Sequence, residues 1–157
     1  MEEYEYSFNV KTVEPYIDYC KENNYILKKV VKQNRIVYEN KNNRDVIARF
    51  TTTFNDDVEE CLFDCKNIKK SENDLKESIE SIPIKVNKNN RIGLESMLNI
   101  LNFYISANNT RIRYVYIKDG VKLEIDDYSS PKMCVIGIEG KKEEVDKVYS
   151  ELKYRKI

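Results

Sequence analysis

Apolar and polar residues alternate from the start of the chain. In Glu3–Val10, Tyr4, Tyr6, Phe8 and Val10 fall on one face, and Glu3, Glu5, Ser7 and Asn9 on the other. That pattern predicts a strand with one apolar and one polar side. Thr12 reads as a helix N-cap, with Glu14 and Pro15 in the first turn. Val13, Tyr16, Ile17 and Cys20 follow at helical spacing, and Asn23-Asn24 ends the helix. The β-branched runs Ile26–Lys32 and Arg35–Glu39 predict strands. The second forms a hairpin with Val46–Phe50, part of a strand over Asp45–Thr53, across the turn Lys41–Arg44. Asn55-Asp56-Asp57 predicts a turn and Glu59–Asn67 another strand. Lys69–Ser78 is charged and poor in apolar residues, which predicts a solvated connection, either exposed helix or loop.

Ile82–Val86 is a short strand that Pro83 restricts to an edge. Arg91–Tyr104 is the clearest amphipathic helix, with Ile92, Met97, Leu98, Ile100, Leu101 and Tyr104 as its apolar side. Thr110–Lys118 and Val121–Asp127 flank Asp119-Gly120, a strong hairpin signal. Pro131 introduces a strand over Met133–Glu139, and a last helix over Lys141–Leu152 buries Val145, Val148 and Leu152. Consecutive strands joined by tight turns, with helices near 13–22, 92–104 and 141–153, predict one antiparallel α+β domain over residues 1–157.

Composition narrows the chemistry. The 157 residues suffice for one domain burying roughly 70% of its unfolded surface. Lys+Arg and Asp+Glu both number 27, so no basic excess points to general nucleic-acid binding. The chain has no histidine. This excludes Ser-His-Asp and Cys-His catalysis, His-ligated zinc and histidine acid–base chemistry. What remains is carboxylate, Lys, Arg, Tyr or Cys chemistry, or a metal on oxygen ligands. The acidic N-terminus lacks the features of a signal peptide, and no apolar run is long enough to span a membrane. A cytoplasmic protein with free thiols is expected. Cys61 and Cys65 have no second pair to complete a zinc site and read as half-buried strand residues.

The polar faces carry charges of both signs. Glu3 and Glu5 share a face, as do Arg111 and Arg113, and Lys122, Glu124 and Asp126. Arg49 stands in the apolar stretch Val46–Phe50, Lys66 follows Cys61–Cys65, and Glu139 ends an apolar strand. Solvated outer faces with ion pairs worth about 0–1 kcal/mol each would account for any one of these. A barrel with a charged interior would account for all of them. Its acids would hold a divalent cation and its bases a polyanion. Asp127 should point away from Asp126, because neighbours on a strand face opposite sides.

The order Glu3-Tyr4-Glu5, Val46-Ile47-Ala48-Arg49-Phe50, Lys66, Arg111-Ile112-Arg113, Asp119-Gly120, Lys122–Asp126 and Gly137-Ile138-Glu139 resembles the CYTH superfamily. These triphosphate tunnel metalloenzymes include class IV adenylate cyclases and thiamine triphosphatases. The resemblance implies an eight-stranded antiparallel β-barrel with flanking helices, enclosing a charged tunnel. It implies Mg²⁺ or Mn²⁺ as cofactor, held by Glu3, Glu5 and Glu139, with Glu124 and Asp126 in support. It implies a small-molecule triphosphate (ATP, tripolyphosphate or thiamine triphosphate) bound by Arg49, Lys66, Arg111, Arg113 and Lys122. Glu3, Glu5 and Arg113 would serve catalysis. Both hydrolysis and cyclisation are open, as is a homodimer. Three positions depart from the family pattern: Ser7 stands for a Lys, Gly137 for a Glu and Ile47 for a second Arg. They leave room for a catalytically weakened protein that binds nucleotide or polyphosphate without turnover. A structural or interaction domain presenting Tyr114, Tyr116 and Tyr128 is a further alternative.

Overall fold

A computed structural model describes residues 2–130 and 132–152, with residues 2, 3 and 130 as backbone only. Pro131 lies outside the described residues. The elements in chain order are β1 (Glu2–Val10), α1 (Glu14–Glu22), β2 (Ile26–Asn40), β3 (Val46–Asn55), β4 (Val58–Glu72), β5 (Leu75–Glu80), β6 (Ile84–Val86), α2 (Lys88–Ile100), β7 (Phe103–Lys118), β8 (Val121–Ser130), β9 (Lys132–Gly140) and α3 (Lys142–Leu152). No helix among the described residues is long and apolar enough to cross a membrane.

The strands run in the order β3-β2-β7-β8-β9-β1-β5-β4, and β3 pairs with β4 to close the ring. All pairings are antiparallel. Closure gives the wall a partner on both sides of each of its eight strands and removes exposed edges. β6 continues the line of β5 along β4 after a break at Ser81–Pro83, pairing with Cys61–Phe63. Pro83 lacks the N–H a continuous ladder would need there.

Strand alternation sends successive side chains through opposite sides of this wall. The apolar set points outward. Phe8, Val10, Tyr116, Leu123, Ile125, Ile136 and Ile138 meet Tyr16, Tyr19 and Cys20 of α1 and Val145, Val148 and Leu152 of α3. A second cluster joins Tyr38, Ala48, Phe50 and Phe63 to Leu98 of α2. The hydrophobic core therefore lies outside the barrel, between wall and helices, and the polar faces are enclosed within. Side-chain hydrogen bonds fasten α3 across this layer. Tyr6 donates to Asp146 Oδ1 at 2.6 Å and Tyr149 donates to Asp74 Oδ2 at 2.7 Å, while the Tyr6 and Tyr149 rings stack 4.0 Å apart.

Several expectations change. The two strands expected over 26–39 are one, β2, because nothing in Gln33-Asn34 turns the chain. Lys69–Ser78 is no solvated connection: it forms the end of β4, a turn and the start of β5. Lys69–Asn73 are exposed at the tip of this hairpin, and Lys76 of β5 lines the charged interior. The first helix has Val13, not Thr12, at its N-cap, and no side chain caps it. The second begins earlier than expected. Asn87 accepts from the backbone N–H groups of Asn89 and Asn90, while the Asn90 side chain accepts from the Asn87 N–H. This is a capping box with Asn in place of the usual acidic or Gln partner. The helix also ends earlier, and β7 begins at Phe103. Of its expected apolar side only Leu98 is buried. Ile92 and Ile100 are 73% and 77% exposed, because Leu94 and Leu98 set the contact face.

Candidate functional site

Alternation places Glu5 and Ser7 of β1, Gln33 and Arg35 of β2, and Arg49 of β3 on the inner wall. It also places Lys66 of β4, Lys76 and Glu80 of β5, Arg111 and Arg113 of β7, Lys122, Glu124 and Asp126 of β8, and Gly137 and Glu139 of β9 there. All of these but Gln33 line two adjoining cavities of about 210 and 200 Å³, and Gln33 accepts from Arg111 beside them. All residues lining the first are charged. The second adds Ile47, Ile68, Tyr128 and Val135 to a largely charged wall. A wider, open cavity of about 560 Å³ meets the first at Lys122 and Glu139, and is further lined by Tyr4, Gly120, Gly140, Lys141 and Lys142. Gly120 allows the type of hairpin turn predicted at Asp119-Gly120, where both residues have positive φ, 49° and 79°.

Five of the basic side chains are held in two networks, one of Arg111, Arg113 and Lys122 and one of Arg49 and Lys66. Arg113 donates from Nε to Asp126 Oδ1 at 2.7 Å, from Nη2 to Asp126 Oδ2 at 2.8 Å and from Nη1 to Glu124 Oε2 at 2.7 Å. Arg111, 1% exposed, donates to Gln33 Oε1 at 2.8 and 3.1 Å and to the Tyr128 hydroxyl at 2.9 Å. It also lies 3.4 Å from Asp126 Oδ2. Arg49 grips Asp64 with Nε and Nη2 and donates to Glu80 Oε1 at 2.9 Å. Lys66 Nζ reaches Glu5 Oε2 at 3.3 Å and Glu80 Oε1 at 3.7 Å. Lys122, at the junction with the open cavity, pairs with Glu139 Oε2 at 3.1 Å.

Burial acts against the charges of Arg113, Arg49 and Glu124, and their partners outweigh it. Burial would lower the pKa of Arg113, but Glu124 and Asp126 raise it above the ordinary range. Burial likewise opposes Arg49, and Asp64 and Glu80 raise it. Burial would push Glu124 up. Arg113 foremost, then a hydrogen bond with Glu139 and the charges of Lys122 and Arg111, brings it down to about 2.

All the expected side chains that the structure describes come to this interior: Glu5, Arg49, Lys66, Arg111, Arg113, Lys122, Glu124, Asp126 and Glu139. The Glu3 side chain lies outside the described residues. Glu5 and Glu139 are direct cross-strand partners, and Glu139 hydrogen-bonds with Glu124 on the next strand. These are hard oxygen donors, two of them already in contact, which fits Mg²⁺ or Mn²⁺ in kind. Asp126 is engaged on both oxygens by Arg113. Among the described residues no group of three or more acidic or thiol side chains is gathered as for a metal ion. Gly137, at the centre of this wall, contributes no ligand. A Cβ added there would lie 3.8 Å from Glu124 Cβ and 3.9 Å from Glu5 Oε1, ordinary contact distances.

No protein-family model matches the chain, and no curated protein matches it in sequence. Solved structures do match. A conserved hypothetical protein of Pyrococcus furiosus superposes with a TM-score of 0.75 at 20% identity, over 96% of this chain and 90% of that one. HpAC1 of Hippeastrum, assigned as an adenylyl cyclase and described with a dominant triphosphatase activity, superposes with a TM-score of 0.66 at 14% identity, over 97% and 87%. This is the CYTH-like fold. A chain of the Schizosaccharomyces pombe Mediator head module also matches, with a TM-score of 0.72 at 11% identity, over 100% and 97%. The CYTH-like barrel thus also occurs within an assembly of another kind, and residues rather than fold must carry a functional reading.

Within the CYTH-like barrel, sequence reasoning missed Arg35, Lys76 and Glu80, all of which line the interior. Gln33 and Arg35 stand at alternate positions, a polar-face signal like that of Arg111 and Arg113, but the division of β2 into two strands separated them. Lys76 was hidden by reading Lys69–Ser78 as a solvated connection, and Glu80 falls just after that segment. Cys61 and Cys65 are half-buried on β4 with free thiols, as expected. Asp127 faces outward as expected, pairing with Lys132 at 3.2 Å.

Proposed function

We propose that the chain is a divalent-metal-dependent enzyme acting on a triphosphate bound in the tunnel. The observation that carries this reading is the cavity lined wholly by charged side chains, four acids with Arg and Lys around them. A wholly polar space of this kind suits a small polyanion with its counter-cation and offers nothing to an apolar ligand. Arg49, Lys66, Arg111, Arg113 and Lys122 bind and orient the phosphate oxygens. The guanidinium N–H groups not used on Asp64, Glu80, Glu124 and Asp126 remain for the ligand. These cations are fixed before the ligand arrives, so they stabilise the charge that spreads over a phosphoryl group in transfer without reorganising.

Glu5, Glu139 and Glu124, with Glu3 and Asp126 in support, would hold Mg²⁺ or Mn²⁺. When bound, the cation polarises a phosphoryl oxygen and helps orient the attacking oxygen. Attack by water gives hydrolysis, and attack by a ribose hydroxyl gives cyclisation. The open cavity at Lys122 and Glu139 leaves space for the remainder of a nucleotide or thiamine ester.

A second reading, polyanion binding without turnover, is favoured by Gly137, which leaves the acidic wall short of one side chain. The test measures phosphate and cyclic nucleotide formation from tripolyphosphate and ATP, with Mg²⁺ or Mn²⁺, beside Glu5→Gln and Lys122→Gln. Metal-dependent turnover that drops at least about tenfold in both variants supports the enzyme. Binding without turnover selects the second reading. Absence of binding overturns both.

A further inference from the structure

Three of the four arginines in the tunnel are matched with acceptors. Arg49 has Asp64 and Glu80, Arg111 has Gln33, Asp126 and Tyr128, and Arg113 has Glu124 and Asp126. Arg35 is the exception. It lines both halves of the cavity, its Nε is buried, and among the described residues that atom has no hydrogen-bond partner. The charges nearest in effect are Arg111, Arg113 and Arg49, all of its own sign. Together with burial they push its pKa down to about 9, so it still carries its charge at neutral pH. A buried donor without an acceptor costs stability, and a half-buried cation among like charges adds to that cost. Natural interiors rarely tolerate either, and the exceptions concentrate where a ligand completes the bonding.

We propose that Arg35 is a phosphate-receiving residue, a guanidinium left without an acceptor so that an oxygen of the ligand supplies it, making the stability of the barrel depend on the bound polyanion. This rests on the reading of the tunnel as a triphosphate site and adds a residue and a consequence that reading does not contain. It separates two kinds of tunnel cation. Arg49 and Arg113 hold the wall together through their carboxylates. Arg35 holds nothing in the free protein and opposes its folding. Removing an ordinary structural arginine lowers stability, whereas removing Arg35 should raise it while weakening the ligand.

The experiment compares wild type, Arg35→Gln and Arg49→Gln, with inorganic tripolyphosphate in the presence of Mg²⁺ as the probe. Binding is read by titration calorimetry and melting by circular dichroism, with and without the probe. Arg35→Gln is expected to melt above the wild type when free, to bind at least about tenfold more weakly, as for the loss of one charge-assisted hydrogen bond, and to gain less in melting temperature from the probe. Arg49→Gln is expected to melt below the wild type. An Arg35→Gln protein that melts below the wild type, or fails to fold, overturns the proposal, because Arg35 would then be structural. Affinity within about threefold of wild type also overturns it while leaving the tunnel reading in place. A wild type that does not bind tripolyphosphate overturns both together.

Discussion

Arg113→Met removes the cation that holds two buried carboxylates and leaves a side chain of similar length. Glu124 is 8% and Asp126 4% exposed, and Arg113 binds both, one of them through two N–H groups. Two independent routes give the size of the effect. Breaking one side of a buried, hydrogen-bonded ion pair costs about 3–5 kcal/mol, because the partner charge stays buried without compensation. The fall of Glu124 from 4.5 to about 2 corresponds to about 3 kcal/mol net of the burial penalty, with Arg113 the leading attraction ahead of Glu139, Lys122 and Arg111. The routes agree, and against a typical domain stability of about 5–15 kcal/mol the variant should be folded but marginal.

The pH dependence distinguishes this cause from a simple packing defect. In the wild type the folded-state pKa of Glu124 lies below its unfolded value. Its contribution is therefore present above about pH 4.5 and lost as pH falls toward about 2. In the variant, burial acts on Glu124 with its main counter-charge gone, and the folded-state pKa rises above the unfolded one. The cost is then full at neutral pH and relieved as protonation sets in. Urea melts at pH 7.5 and pH 4.5 should show a deficit of about 3–5 kcal/mol at the higher pH, shrinking by at least about 1 kcal/mol at the lower. An equal deficit at both values, or less than about 1 kcal/mol at pH 7.5, would refute the reasoning.

Two further outcomes test the packing. Phe50, 1% exposed, meets the Phe63 ring at 4.9 Å and the Tyr38 ring at 5.9 Å and lies under the Arg91 guanidinium at 4.0 Å, so Phe50→Ala should cost about 3–5 kcal/mol in a urea melt. Gly140 has φ +155°, and a Cβ there would stand 2.9 Å from the Gly120 carbonyl oxygen; Gly140→Ala should lower stability by about 1–3 kcal/mol, measured by thermal melting, whereas Gly93→Ala, with open space around it, should not.

Much of the barrel was legible because its wall is built from two-faced strands. The alternation in Glu3–Val10, Thr110–Lys118 and Val121–Asp127 gives period and sidedness at once, and Asp119-Gly120 marks its own hairpin. The inward face of each such strand could be listed from sequence, which is why Glu5, Arg113 and Glu124 arrive together. What was hidden has a common cause. A strand whose inner residues are charged and whose outer residues are only partly apolar, as around Lys76 and Glu80, has the composition of a loop. The segments of β2 look like separate strands because Gln33 and Asn34 are polar residues without a strand signal of their own, and cross-strand pairing with Thr52 and Thr53 on one side and with Thr110 and Arg111 on the other keeps them extended. The register of α2 depends on the Asn87–Asn90 capping exchange, and its apolar stripe is wide enough to offer more than one contact face. Which charges pair, and that Arg35 is left over, is decided by three-dimensional neighbours that no local pattern encodes.

With oil on the outside of the wall and brine within, one sheet separates two chemistries that rarely meet. Packing residues and ligand residues share a backbone but point to opposite sides of it. A change on the inner face, such as Ser, Gly or Ile at positions 7, 137 and 47, leaves the layer beneath the helices untouched. The fold is therefore free to drift in what it binds while keeping its shape. Its interior could be rewritten as a block, one face of each strand at a time, to obtain a barrel of altered charge on the same scaffold.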